Sequence, residues 1–328
     1  LPGDLAAAVG TGERAHLFLP MDHPELPWTA ILALFFSTNV WYACTNQFYI
    51  QMCLGSKNEW HARMGVVFAA LLGILLGFAI EFPGIVGYRL VEAGAIPAPP
   101  ESNAIYPYLV RYIIPEGIRG IVFAGILGAI MSTVSALVHA ISTLFSMDFY
   151  RVYVRPGAGE THLIRAGQTA GTVFLAAGAL IAPVVGTFPT IFDFFQQSWA
   201  VLASPIVIVF VVGALWRRAT NFAAMSTFVL GVLTIPASFW LHRAMLPRGF
   251  NFYNLVGIIF FFQLAWMIGA SLLSRPHPRE RTESAVWTSD LAAIPTSERP
   301  EPYPWYTRLI LWWTLAAISV GALYVFYR

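Results

Sequence analysis

Between Met131 and Asp148 the chain reads MSTVSALVHAISTLFSMD, an apolar run interrupted by Ser132, Thr133, Ser135, His139, Ser142, Thr143 and Ser146. Ser132, Ser135, His139, Ser142 and Ser146 recur at intervals of three, four, three and four, which gathers them on one face of a helix. Gly125 and Gly128 extend that face backwards. Such a face has two uses. It admits a closely packed neighbour, because small residues let backbones approach, or it supplies neutral oxygen ligands to a hard cation. A second run, NVWYACTNQFYIQMC, places Asn39, Tyr42, Asn46, Tyr49 and Cys53 at the same spacing and predicts a second polar face on an apolar helix. Further on, Asp193, Gln196 and Gln197 stand among Phe192, Phe194, Phe195 and Trp199. A few amides among aromatic rings offer what a polyol needs, faces to stack on and edges to hydrogen-bond.

The elements that carry these residues belong to a membrane chain. Of 328 residues 57% are hydrophobic and only 11% charged, whereas an average soluble domain has about 25% charged residues. Apolar stretches near 28–53, 64–88, 117–150, 163–185, 190–215, 221–241, 253–273 and 306–327 reach the roughly 20 residues that cross a bilayer. They lack strand-like alternation, so backbone satisfaction in lipid predicts an all-α polytopic helix bundle rather than a barrel. At 1.5 Å per residue the third stretch would run about 50 Å, well past a roughly 30 Å hydrocarbon core, so its last turns should protrude into water. The spacing of Gly73 and Gly77 predicts close helix packing.

Charge orients the bundle. Lys57, Arg63, Arg151, Arg155, Arg165, Arg217, Arg218, Arg275, Arg279, Arg281, Arg299 and Arg308, twelve of the nineteen basic residues, follow the odd-numbered stretches. Asp4, Glu13, Asp22 and Glu25 precede the first. The positive-inside bias therefore puts residue 1 outside and, with eight crossings, Arg328 outside too; Arg243 and Arg248 fall against that pattern. Residues 1–27 then form an extracellular segment, 28–273 the first seven transmembrane helices, 274–305 a solvated cytoplasmic linker rich in Pro, Arg, Glu and Ser, and 306–328 a last transmembrane helix. The leading segment lacks an initiator Met, a basic n-region and a compact apolar core, so it reads as an interior loop of a longer chain and not as a signal peptide. Cys44 and Cys53 have no CxxC or His-paired metal spacing and read as small apolar residues. A net charge of +2 carries no argument for nucleic acid. Glu81, Asp193, His61 and His139 show none of the spacing that a membrane enzyme would require of paired carboxylates or metal ligands. Glu81 reads as an interfacial residue, His139 as a helix-packing histidine and Asp148 as a contact of the basic loop.

Three long stretches, NVWYACTNQFYIQMCLGSKN, AIYPYLVRYIIPEGIRGIVFAGILGAIMSTVSALVHAISTLFSMDFY and IFDFFQQSWAVLASPIVIVFVVGALWRR, together resemble the sodium:solute symporter family, especially its sodium/glucose–galactose branch. The resemblance runs over almost the whole chain. It implies a bundle of about fourteen helices containing two inverted five-helix repeats, of which this chain matches the last eight, beginning before the sixth core helix. It implies alternating access in the cell (plasma or inner) membrane, driven by sodium, with uptake of a small polar solute such as a sugar or polyol. Residue by residue, Ser132 and Thr133 match hydroxyl ligands of sodium and Ala129 a backbone carbonyl ligand. The remaining ligands are expected from N-terminal helices of the same transporter. Asn39 and Gln196 match hydrogen-bonding positions for solute, Tyr42 a stacking gate and Phe192 an outer aromatic contact. One departure stands out: Gly73 occupies the position where sugar carriers of this branch have a lysine, so a charged donor to the solute is missing. Against transport stand two other readings, a solute or sodium sensor or scaffold subunit of the same fold, and a polytopic membrane enzyme.

Overall fold

The computed structural model describes residues 18–23, 26–188, 190–244, 250–283, 286–288 and 293–326. Asp4, Glu13, Glu25, Arg248 and Arg328, on which part of the orientation rests, lie outside them, as does most of the leading segment. Among the described residues the chain is helical, with no strand, the outcome that backbone hydrogen bonding demands in hydrocarbon.

The first expected crossing is not one helix. It consists of α1 (Trp28–Leu34), a π-helical turn (Phe35–Asn39), α2 (Val40–Cys44) and, after a break at Thr45 and Asn46, α3 (Gln47–Leu54). The sequence dictates the break. Thr45 and Asn46 both send their N–H to the Trp41 carbonyl at 3.0 Å, and the Thr45 hydroxyl donates to the same oxygen at 3.1 Å. Asn46 is extended (φ −76°, ψ 118°), and its Oδ1 accepts the Phe48 N–H, so it N-caps the helix that follows. The predicted continuous face from Asn39 to Cys53 is therefore corrected. A spacing of three and four keeps side chains aligned only on an unbroken α-helix, and a π turn plus a break intervene.

Among the described residues six helices are long and apolar enough to cross a membrane. α4 (Glu59–Glu92) exceeds its predicted bounds at both ends and closes on Gly94, whose φ of 69° permits the Ala95 N–H to reach back to the Leu90 carbonyl. A short helix unforeseen in the sequence, α5 (Ile105–Ile113), precedes α6 (Glu116–Thr143). α6 runs on as a π-helical segment (Leu144–Val154), giving 39 residues end to end. That is about 58 Å at the α-helical rise, so the expected excess length is present. α7 (Glu160–Val185), α8 (Ile191–Leu215), α9 (Asn221–Ala244) and α10 (Phe252–Leu273) complete the six. After the five-residue α11 (Arg279–Glu283), the last apolar helix, α12 (Leu309–Phe326), is shorter than the others. Among the described residues six membrane-length helices thus stand where eight stretches were expected, because the first is broken and the last is short.

The described residues divide into two units, one within 74–194, the other within 18–73 and 195–326. In the first, α6 and its π continuation pack on α7. In the second, α10 packs against α9 and α1. A buried cluster of Ala30, Leu34, Ala200, Val201, Phe252, Tyr253 and Val256 joins α1, α8 and α10. At Gly231 an added Cβ would lie 2.5 Å from ring carbons of Pro205, so only glycine lets α9 and α8 meet there. Gly73 and Gly77, by contrast, have nothing within 4 Å of an added Cβ among the described residues, so the close packing expected of them is absent.

Much of the expected solvated linker is docked. The Trp287 N–H donates to the Ala214 carbonyl at 2.8 Å, and Val286 and Ile294 are buried. His277 Nε2 accepts the Asn221 N–H at the start of α9. Glu298 accepts the Glu59 N–H through Oε2 at 2.7 Å and the Asn58 side chain through its carbonyl at 3.2 Å, capping α4. Its polar composition serves helix ends, whose orphan N–H and C=O groups need partners.

Candidate functional site

The hydroxyl face of α6 divides into two halves with different surroundings. In the lower half Ser142 and Ser146 meet glycines of α7. A Cβ on Gly171 would fall 2.6 Å from Ser142 Oγ and 2.8 Å from Val138 Cγ1, and one on Gly167 would fall 3.2 Å from the Ser142 carbonyl and 3.5 Å from Ser146 Oγ. Ser146 is buried and donates to the Thr143 carbonyl, while Thr143 donates to that of His139 at 2.9 Å. Here small residues serve helix contact. His139 itself is exposed on the rim of a groove of about 880 Å³ between the lower part of α6, its π continuation and α7, which Arg151, Glu160 and Gln168 also line.

The upper half is open. Ala129, Ser132 and Thr133 are exposed, and nothing among the described residues comes within 4 Å of an added Cβ at Gly125 or Gly128. The Thr133 hydroxyl donates to the Ala129 carbonyl at 3.1 Å. In the helix the same carbonyl also takes the Thr133 N–H, so the side-chain bond uses the hydroxyl proton and leaves acceptor capacity on the Thr133 oxygen. Neutral oxygens side by side, with Ser132 next in sequence, are of the kind that a hard cation takes as ligands.

In the other unit, Asn39 is the exposed last residue of the π turn, and Tyr42 lies just before the break, 47% exposed. Its ring stands 5.6 Å from that of Tyr49, so the pair bridges the break. Trp41 stacks on Trp199 of α8 with centroids 4.4 Å apart and planes at 25°. Trp199 lies three residues beyond the half-buried Gln196, on the same side of α8. This stack brings the turn carrying Asn39 and Tyr42 to the part of α8 carrying Gln196. Sequence reasoning overlooked Trp41. Its signal was its place inside a polar, aromatic run beside Tyr42.

Phe192 is 57% exposed in the first turn of α8. Thr190 caps that turn: its Oγ1 accepts the Asp193 N–H at 3.0 Å, and its hydroxyl donates to Asp193 Oδ2 at 2.6 Å. The Asp193 carboxylate, bonded to the Thr190 hydroxyl, steadies that cap and places negative charge in the first turn, a stabilising use of a carboxylate at a helix N-terminus. Glu81 and Asp148 are exposed. Among the described residues no three His, Cys, Asp or Glu side chains converge as a metal cluster would require.

Residues 26–231 match the family model of the sodium:solute symporter family. The chain is 30% identical over 261 residues to the sodium/glucose cotransporter of Vibrio parahaemolyticus, covering 74% of this chain and 47% of that protein. It is 34% identical over 232 residues to the rabbit (Oryctolagus cuniculus) sodium/myo-inositol cotransporter 2, covering 66% and 34%. With the bovine (Bos taurus) sodium/mannose cotransporter SLC5A10 it shares 28% over 309 residues, 85% of this chain and 51% of that one. The chain thus spans about half the length, or less, of these curated relatives.

Proposed function

Because this chain belongs to the sodium:solute symporter family, we propose that it forms the ion-binding and solute-binding helices of a secondary active transporter that couples inward sodium flow to uptake of a sugar or polyol. It is a multi-pass membrane protein. The observation that carries the reading is the open upper face of α6. The Thr133 hydroxyl and the Ala129 carbonyl place two oxygens 3.1 Å apart, Ser132 adds a third, and no helix among the described residues covers them. The proposed sodium ligands are Ser132 and Thr133 through their hydroxyls and Ala129 through its carbonyl. The other ligands come from helices of the same transporter that lie outside these residues, within a fourteen-helix inverted-repeat bundle.

Asn39 and Gln196 supply hydrogen bonds to the solute, Tyr42 a stacking surface and Phe192 an outer wall. The break at Thr45 and Asn46 supports this assignment. Irregular backbone at bilayer depth is tolerated only where it is buried in protein or lines a cavity, and broken helices build such sites in transporters. Gly73 leaves open space where carriers of the glucose–galactose branch have a lysine, so solute selection in this protein rests on amides and aromatic rings. Sodium favours the outward-facing state, and its binding and that of the solute reinforce one another by their differential affinity for the two states.

The test is flux. The protein expressed from its whole coding sequence and reconstituted into liposomes should accumulate at least one of glucose, mannose and myo-inositol under an inward sodium gradient, and lose accumulation when potassium replaces sodium. Binding of sodium and solute without accumulation would favour the sensor reading.

A further inference from the structure

The first turn of α8 is held from two directions. Thr190 caps it locally at the Asp193 N–H. The Ile191 N–H, another of the orphan donors of a helix start, donates instead to Asn103 Oδ1 at 3.2 Å, across 88 residues of sequence. Asn103 sits in the short 3₁₀ turn Ser102–Ala104 that leads into α5. That hairpin has its own anchors. Leu109 and Val110 are buried, and Leu109 fills the notch at Gly87 of α4, where its Cδ2 stands 2.5 Å from the place a Cβ would take. Arg119 of α6 ties down its far end by donating through Nε to the Ile114 carbonyl at 2.8 Å and through Nη2 to the Arg111 carbonyl at 2.6 Å.

We propose that Asn103 is a positioning residue for solute binding: it relays the docked position of the 102–119 hairpin to the first turn of α8 and so fixes the direction in which Phe192 faces the solute. The proposal rests on the assignment of Phe192 to the solute site. A merely local cap cannot do this, since Thr190 moves with the helix it caps. Asn103 belongs to a separate element with its own footing, and its single hydrogen bond references the helix start to α4 and α6.

Two readouts test it, on the protein expressed from its whole coding sequence. In hydrogen exchange, Asn103→Ala should accelerate exchange of the 191–194 amides about threefold or more. Asn103→Asp, which keeps the acceptor, should leave it unchanged. Leu109→Ala, which loosens the hairpin without touching α8, should accelerate it too. In sodium-driven uptake of whichever of glucose, mannose and myo-inositol the wild type accumulates, Asn103→Ala should raise the solute KM about three- to tenfold with Vmax kept, and Asn103→Asp should restore it. Unchanged exchange at 191–194 in Asn103→Ala overturns the proposal. So does an unchanged KM in Asn103→Ala when Phe192→Ala raises it. If Phe192→Ala also leaves KM unchanged, or none of the three solutes accumulates, the solute assignment itself has failed and the proposal falls with it.

Discussion

The two halves of the α6 face should separate experimentally. The perturbation is a matched set: Ser132→Ala and Thr133→Val in the upper half, Ser142→Ala in the lower half, and Thr133→Ser as a control that keeps the hydroxyl. In the upper half each substitution deletes one oxygen from the proposed sodium wall. A contact between a neutral dipole and a full charge contributes about 1.5–3 kcal/mol, and each 1.4 kcal/mol is about tenfold in affinity. Ser132→Ala should therefore raise the sodium concentration for half-maximal uptake roughly 10- to 150-fold, and the double variant should lose sodium activation within any usable range. Folding should hardly notice. Both side chains are exposed, and the back-bond from Thr133 to the Ala129 carbonyl is replaced at a cost within about 0.5 kcal/mol. Ser142→Ala stands on the other side of the division, against Gly171, and should leave sodium activation within about twofold of the wild type because it removes no proposed ligand. The assay is initial uptake against sodium concentration in proteoliposomes, with thermal unfolding in detergent measured in parallel. Half-saturation within about twofold of the wild type in well-expressed Ser132→Ala with Thr133→Val refutes the ion-site reasoning. Equal shifts from the upper and lower substitutions would refute the division of the face.

Two further expectations concern stability. Gly231→Ala drives a methyl into the Pro205 ring, which cannot rotate away; overpacking costs about 1–3 kcal/mol and the better helix propensity of alanine returns roughly 1, so the midpoint of thermal unfolding in detergent should fall by a few degrees, and a rise would contradict the packing. Glu298→Ala removes a carboxylate cap from the start of α4 and should cost about 0.5–2 kcal/mol locally, seen as faster hydrogen exchange near Glu59, whereas Glu298→Gln, which keeps an acceptor, should lose less; equal exchange in the wild type and the alanine variant would show that the contact carries no weight.

The sequence by itself determined the solvent of this protein, its helical class and the great length of α6, because apolar runs and charge content record directly what each segment can bury and what it must satisfy inside a bilayer. It also carried enough ordered motif to place the chain in its family. Periodicity failed where the helix did: Asn39 and Asn46 share a spacing but not a face, since Thr45 and Asn46 turn their hydrogen-bonding capacity onto the backbone and interrupt the register. It could not divide the α6 stripe either. Ser132 and Ser142 are the same residue on the same face, and only the glycines of α7, nearly thirty residues away in sequence, make one a helix contact and leave the other open. The stacking of Trp41 on Trp199, the cap that Glu298 places on α4 and the hold of Asn103 on Ile191 were likewise decided by tertiary structure, for one physical reason. Each joins groups far apart along the chain, and local composition records what a residue can bond, not which distant partner folding will bring to it.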